Sequence, residues 1–278
     1  MSVNTVTTIY DENITLSIKY NIPFSTPPGT TLNDKFGIPY AVPPSVGYPK
    51  LNYLAIGNGG QVVVTGESFI SGLMHSCTDS ALKNQIPFLL LPANADLSLA
   101  EMAAYRIRVP MTIGGNAYVA YYLKLLNFAP MTVGFTTFQL SEGVVTNQSP
   151  YTPTLATQTP NMIDSSNVAL NLASGNQIAT TIETAIQLSE TEVQNIINAC
   201  TILYGNPNAA IISELALVAG FDIQSPITVA SVSTTYTEVQ CAQVTNFISI
   251  VFPANANPNS SMNAGVSIGM SQPLNTLT

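Results

Sequence analysis

"YLAIGNGGQVVVTG", residues 53–66, sets three glycines and an asparagine between two apolar runs. It is either a phosphate cradle or a tight turn. A dinucleotide fingerprint needs G-x-G-x-x-G between a strand and a helix. Gly57 and Gly59 open such a pattern, with Gly60 beside them, but its third position holds Val62. The "QVVVTG" that follows is β-branched and too short for the required helix. Without helix amides aimed at an anion, the stretch has no electrostatic basis for holding phosphate. It reads as a turn between two strands, with Gly and Asn supplying positive φ.

Strand signals dominate the chain around this turn. "NITLSIK" puts Ile14, Leu16 and Ile18 on one face, the pattern of a half-buried strand. "AYVAYYLKLL" (117–126) alternates in the same way, and "MTVGFTTFQL" (131–140) follows "NFAP" as its expected antiparallel neighbour. "SELALVAG" (213–220) and "MNAGVSIGM" (262–270) add two more. Helices are fewer. "LSETEVQNIINACTILYGNP" has Ser189 at an N-cap with Glu192 three residues on, a capping box. Val193, Ile196, Ile197, Cys200, Leu203 and Tyr204 form its apolar stripe, with Val193, Ile197 and Cys200 expected against a sheet, and Gly205 and Pro207 stop it. "TEVQCAQVTNFISIVFP" has Val244, Phe247, Ile248 and Val251 at helical spacing, and "SLAEMAAYRIR" opens on a second capping box, Ser98 with Glu101. The expected fold is α+β, dominated by antiparallel sheet in a sandwich-like arrangement, with two or three helices. Residues 1–278 read as one structural domain. Segments 25–50 and 146–176, Pro-rich and without periodicity, read as extended loops or arms.

Only 8% of the 278 residues are charged, against about 25% in an ordinary soluble domain. Thr, Asn, Ser and Gln supply the polarity instead. Such a surface loses little on being covered by another protein, which suits a subunit of a larger assembly. The net charge of −8, with Arg106 and Arg108 the only close basic pair, argues against a nucleic-acid partner. No apolar run approaches the ~20 residues of a membrane span, so no membrane partner is expected. The start "MSVNTVTTIYDEN" lacks the basic and apolar parts of a secretory signal, which points to synthesis and assembly in a cytoplasm. Cys77, Cys200 and Cys241 are odd in number and far apart, and read as buried hydrophobes.

Chemistry is sparse. His75 is the one histidine, and "HSC TD" places His75, Cys77 and Asp79 at alternating positions. A metal there would need a further ligand from elsewhere, and a Cys–His nucleophile two residues apart has poor geometry. The plainer reading is a hydrogen-bonded core histidine, a buried thiol and a turn cap. Asp79, Asp96, Glu101, Glu142 and Glu214 could supply paired carboxylates for glycoside hydrolysis, but nothing marks two of them as a pair. Glu214, inside an apolar strand, is the most informative acid. Alternation would face it to solvent or pair it with Arg106 or Arg108. No catalytic, cofactor-binding or metal residue is assigned, no cofactor is expected, and the chain reads as non-enzymatic.

Three fragments carry a resemblance. "YLAIGNGGQ" resembles the "AIGDG" turn near the start of fibre-attachment and baseplate modules of tailed-bacteriophage virions. "DSALKNQIPFLLL", followed by "YRIRV", is similar to the "ALxNE…YR" segment after that turn. "AIISELALVAGFD" (210–222) is similar to the "IxEIGLFD" strand that closes the module. The fragments keep the family's order at wider spacing and cover about half the chain. The resemblance implies a structural subunit of a tailed-phage virion, in a symmetric ring of the neck, collar, tail or baseplate. Its partners would be copies of itself, other virion proteins or fibres. The competing class is a secreted carbohydrate- or surface-binding β-sandwich, disfavoured by unpaired cysteines and absent tryptophan.

Overall fold

The computed structural model describes residues 4–39, 47–63, 70–157, 175–229, 232–256 and 258–273. The fold is α+β dominated by antiparallel sheet, with four helices among the described residues. The chain forms two compact units, one of Met1–Asn127 with Leu188–Met262 and one of Phe128–Gln187 with Asn263–Thr278.

The first unit opens with β1 (Asn4–Thr7), α1 (Ile9–Tyr20) and α2 (Leu32–Phe36). Then come β2 (Lys50–Gly57), the short pair β3 (Gln61–Val63) and β4 (Ile70–Gly72), β5 (Gln85–Ile86) and β6 (Leu89–Pro92). The helix α3 (Leu99–Met102) leads into the hairpin β7 (Tyr105–Ile113) and β8 (Asn116–Leu125). Gly114 and Gly115, at φ 56° and 82°, make its two-residue turn, which requires positive φ at both positions. The strands of the second unit are β9 (Val133–Ser141), β10 (Val144–Pro150), β11 (Gly175–Leu188) and β14 (Met262–Pro273). Returning to the first unit, α4 (Glu190–Tyr204) precedes the long strands β12 (Ile211–Val229) and β13 (Val232–Pro253).

In the first unit an 8-stranded sheet runs β1-β13-β12-β2-β8-β6, with β5 beside β2 and β7 beside β8. The capping boxes of α3 and α4 form as read, and Gly205 closes α4 in the left-handed region at φ 65°. Val193, Ile196, Ala199 and Cys200 of α4 are buried, while Ile197 is only half-buried. Ala199 joins the core of Tyr53, Ala55, Ala216, Val244 and Phe247. The middle of the sheet is covered on both faces: Val119 to Leu123 of β8 are all buried, as are Ile212 to Phe221 of β12.

Two expected elements change type. Residues 14–18 belong to α1, not to a strand. Thr8 Oγ1 accepts the Asp11 amide, and Asn21, at φ 52°, turns its own amide back to Ile18 O and Ser17 O. Tyr10, Ile14 and Ser17 face inward at helical spacing, leaving Leu16 and Ile18 each 51% exposed. The alternation of three apolar residues was incidental to a capped helix. Conversely, the expected helix over "TEVQCAQVTNFISIVFP" is part of β13, paired with β12 on one side and β1 on the other. A strand buried on both faces has no reason to alternate, so its apolar residues can fall at helical intervals by chance.

The second unit is a 4-stranded sheet in the order β10-β9-β11-β14. β9 is antiparallel to both β10 and β11, not to the 117–126 strand as expected. Glu142 and Gly143, at φ 51° and 80°, form a two-residue turn that ties β9 to β10 instead. Segment 25–50 contains α2, and its residues 40–46 lie outside the described residues. Segment 146–176 begins as β10, and its residues 158–174 lie outside them too.

Candidate functional site

The glycine stretch leads to a buried carboxylate of the first unit. β2 does not form a hairpin with β3, which pairs with β4 instead. None of Gly57, Asn58, Gly59 and Gly60 has positive φ, so the expected turn chemistry is absent. These glycines make room. A Cβ on Gly57 would fall 2.5 Å from Glu214 Oε1 and 2.7 Å from Asn84 O. On Gly59 it would lie 2.7 Å from Asn84 N, and on Gly60 2.7 Å from Ser213 O. The loop, the 83–84 backbone and β12 are packed too closely for any side chain to intervene.

Glu214 fills the space so created and is 1% exposed. Its Oε1 accepts the amides of Gly59 and Asn84, each at 3.0 Å. Its Oε2 accepts the Lys83 amide at 3.1 Å and pairs with His75 Nε2 at 2.7 Å. The other ring nitrogen of His75 meets Asp79 Oδ2 at 2.9 Å, and the ring stacks on Phe247 at 3.8 Å. Ser213 Oγ next door accepts the Gly60 amide at 3.0 Å. Asn58 Nδ2 donates to Ala209 O at 2.9 Å, which fixes the loop's outer edge. Burial pushes the Glu214 carboxyl upward. The hydrogen bonds from His75, Asn84, Lys83 and Gly59 outweigh it and hold the group below its ordinary range.

Glu214 therefore neither faces solvent nor pairs with Arg106 or Arg108. Arg106 grips Asp222 with two nitrogens, Nε at 2.8 Å and an Nη at 3.0 Å, and Tyr53 donates to the same carboxylate at 2.6 Å. Arg108 holds Asp96 at 2.6 Å, and Tyr121 donates to Asp96 at 2.6 Å. These are two Tyr–Asp–Arg groups, one drawn from β2, β7 and β12 and the other from β7, β8 and the turn after β6 that carries Asp96. In the Asp222 group, burial opposes ionisation but Arg106 and Tyr53 win, so the carboxyl stays below its ordinary range.

Two further polar residues escaped the sequence reading. Ile107 sits at φ 54° in β7, and the buried Glu238 accepts its amide at 2.7 Å and that of Arg108 at 3.1 Å. Cys241 sits at φ 53° in β13. Nearby, Asn33 Nδ2 donates to Val239 O at 2.9 Å and Asn33 Oδ1 accepts from Ala242 at 3.0 Å. Glu214, Glu238 and Asn33 do one job: each hydrogen-bonds two or more backbone groups of a segment distant in sequence. Isolation in an apolar run flags Glu214, whereas Glu238, preceded by Thr237 and followed by Val239 and Gln240, carries no such signal.

Chemically the cluster is an anchor. A carboxylate offers about four acceptor positions, and Glu214 spends all of its contacts on three amides and an imidazole. Both ring nitrogens of His75 are also engaged. Of the His75, Cys77 and Asp79 triplet, His75 and Asp79 meet on a turn, whereas Cys77 is exposed, contrary to the buried thiol expected. Cys200 and Cys241 are buried. Of the other acids considered as pairs, Glu101 closes the α3 cap, Glu142 makes the β9–β10 turn and Asp96 is held by Arg108. Among the described residues no group of three His, Cys, Asp or Glu could hold a metal ion, and no helix is long and apolar enough to cross a membrane.

The fragments that carried the resemblance thus converge on one side chain: the glycine loop, residues 83–84 and β12 meet at Glu214. No curated protein and no solved structure matches the chain. A protein family matches it from end to end, over residues 1–278, and the chain accordingly belongs to a family of unknown function, DUF7208.

Proposed function

We propose that the protein is a non-enzymatic structural subunit of a tailed-phage virion, part of a symmetric ring in the neck, tail or baseplate. One observation supports this reading above the others. The three fragments resembling the fibre-attachment module are spread over some 170 residues of sequence, yet Glu214 hydrogen-bonds to the first two from within the third. Fragments that match by accident have no reason to share one buried carboxylate. The low charge supports the same reading, since a polar, uncharged surface is covered at small desolvation cost.

The test is mass spectrometry of purified, nuclease-treated phage particles, with negative-stain imaging of the recombinant protein. Peptides of this chain at structural abundance in particles, and rings in the images, are the expected result. Absence from particles overturns the reading. A glycan array run on the same preparation covers the carbohydrate-binding alternative. The place to look is the open cleft of the second unit, where Phe135, Thr136, Thr181 and Glu183 offer an aromatic face, two hydroxyls and a carboxylate.

A further inference from the structure

The two edges of the second unit's sheet are not alike. Exposed strand edges invite pairing with another chain, and proteins blunt them with short length, charge, proline or a bulge. The large sheet uses short length at β1 and β6, four residues each, and charge and proline at β7, which among the described residues pairs only with β8 and carries Arg106, Arg108 and Pro110. On the small sheet, β10 carries a bulge between Val145 and Asn147 and ends on Pro150. Tyr151 donates its amide to Phe135 O at 2.8 Å, so residues 151 and 149 point toward β9 and Pro150 points outward, blocking that edge.

β14 is neither short, charged nor interrupted by proline. It runs 12 residues as "MNAGVSIGMSQP", has no charged residue, and its only proline is the last residue. Among the described residues it has a strand neighbour, β11, on one side only. The second unit contains no lysine or arginine at all, its charges being Glu142, Asp164 and Glu183. Nothing in β14 repels an identical strand.

The sequence of β14 is also self-matching. In an antiparallel pair centred on Ser267, Val266 stands opposite Ile268 and Ala264 opposite Met270. On the other face Gly265 meets Gly269 and Asn263 meets Ser271. Apolar side chains face apolar ones and small residues face small ones. Met270, 58% exposed in the single chain, gains a partner at Ala264. A Cβ added at Gly265 would meet nothing within 4 Å, so the sheet face is open at that point, whereas one at Gly269 would run into the Thr180 carbonyl of β11.

We infer that β14 is a self-association edge, at which a second copy of this chain pairs its own β14 antiparallel across a two-fold axis at Ser267. The two small sheets would join into one continuous sheet across the contact, and the contact is isologous. The inference rests on the reading of the chain as a self-associating subunit; an isologous contact joins two copies and does not itself close a ring, so β14 would act beside the head-to-tail contact that does.

The test is disulfide capture in a Cys77→Ser background. Cross-strand Cα atoms at a directly opposed pair lie about 4.5–5.5 Å apart, within disulfide reach. Ser267→Cys should therefore give a covalent dimer on mild oxidation. Gly265→Cys places its two copies four residues apart along the strand, roughly 13 Å at ~3.4 Å per residue, and should not. Ser267→Pro and Ile268→Pro, made separately, form the second arm. Adjacent amides point to opposite sides of a strand, so one of the two spares the β11 ladder. That variant should keep the wild-type thermal transition and show a lower mass by light scattering. A wild-type protein that stays monomeric, or a Ser267→Cys protein that yields no covalent dimer, overturns the inference. Rings that persist with β14 uncrosslinked overturn it while leaving the ring reading intact, and particle mass spectrometry tests that reading separately.

Discussion

Replacing Glu214 by glutamine isolates what the buried carboxylate contributes, because the side chain keeps its shape and loses only charge and one acceptor. An amide oxygen in place of Oε1 can still accept from Gly59 and Asn84. The amide nitrogen then faces the Lys83 amide and His75 Nε2, previously at 3.1 and 2.7 Å, where two donors meet for Lys83. Hydrogen bonds to a charged group contribute about 1.5–3 kcal/mol each, and a buried donor left unsatisfied costs about 1–3 kcal/mol more. Glu214 is 1% exposed, so solvent offers little relief. Glu214→Gln should therefore lose about 3–5 kcal/mol. Urea unfolding followed by far-UV circular dichroism suits a chain with no tryptophan. The pH dependence gives a second check. The folded carboxyl lies below its ordinary range, so its contribution is fully present above about pH 4.5 and fades as pH falls through the lower folded value. The wild-type and variant stabilities should converge in acid. A loss under about 1 kcal/mol at neutral pH, or a gap that does not narrow in acid, would refute the anchor role.

Other outcomes follow from the same geometry. Gly60→Ala should destabilise by about 1–3 kcal/mol because its Cβ meets the Ser213 carbonyl at 2.7 Å, while Gly265→Ala, in open space, should be near neutral. Equal unfolding midpoints for the two would contradict the close-packing account. Asn33→Ala removes two buried hydrogen bonds to the β13 backbone and should cost about 2–4 kcal/mol in the same urea assay. Asp11, with its carboxyl pushed up to about 6 by burial and by Glu12, has the opposite sign to Glu214. The folded chain prefers it protonated, so stability falls as pH rises through that value. Asp11→Asn should gain on wild type above about pH 6 and match it near pH 4, as urea midpoints at the two pH values would show.

How much of this was legible depended on whether a signal was local. Capping boxes at Ser98 and Ser189 are read from four residues and formed as written, because cap and amide are covalent near-neighbours. Periodicity was less reliable where its premise failed. A strand alternates only if one face is wet, and β13 is covered on both, so its apolar residues mimicked a helix stripe. In α1 the decisive information lay at the ends, in Thr8 and Asn21, while the middle happened to alternate. Pairing was the least visible property. Sequence proximity suggested that 131–140 pairs with 117–126, but the Glu142–Gly143 turn sends β9 to β10.

The glycine stretch illustrates the limit most sharply. Sequence alone could reject a phosphate cradle, since that needs a helix and none follows. It could not distinguish glycine chosen for positive φ from glycine chosen for space, because the second depends on what approaches from elsewhere in the chain. What approaches is Glu214, more than 150 residues away. Both oddities, glycines without a hairpin and an acid in an apolar strand, had bland explanations when taken singly. Each is the other's explanation when taken together. A carboxylate can be buried only where enough amides converge on it, and amides can converge this closely only where side chains are missing. A charge in an apolar strand and a glycine cluster elsewhere in the same chain therefore form a testable pair. The Gly57→Ala and Glu214→Gln changes should be strongly non-additive in a double-mutant cycle, since the Gly57 Cβ would strike Glu214 Oε1 itself at 2.5 Å. Additive losses would mean that the two features are independent after all.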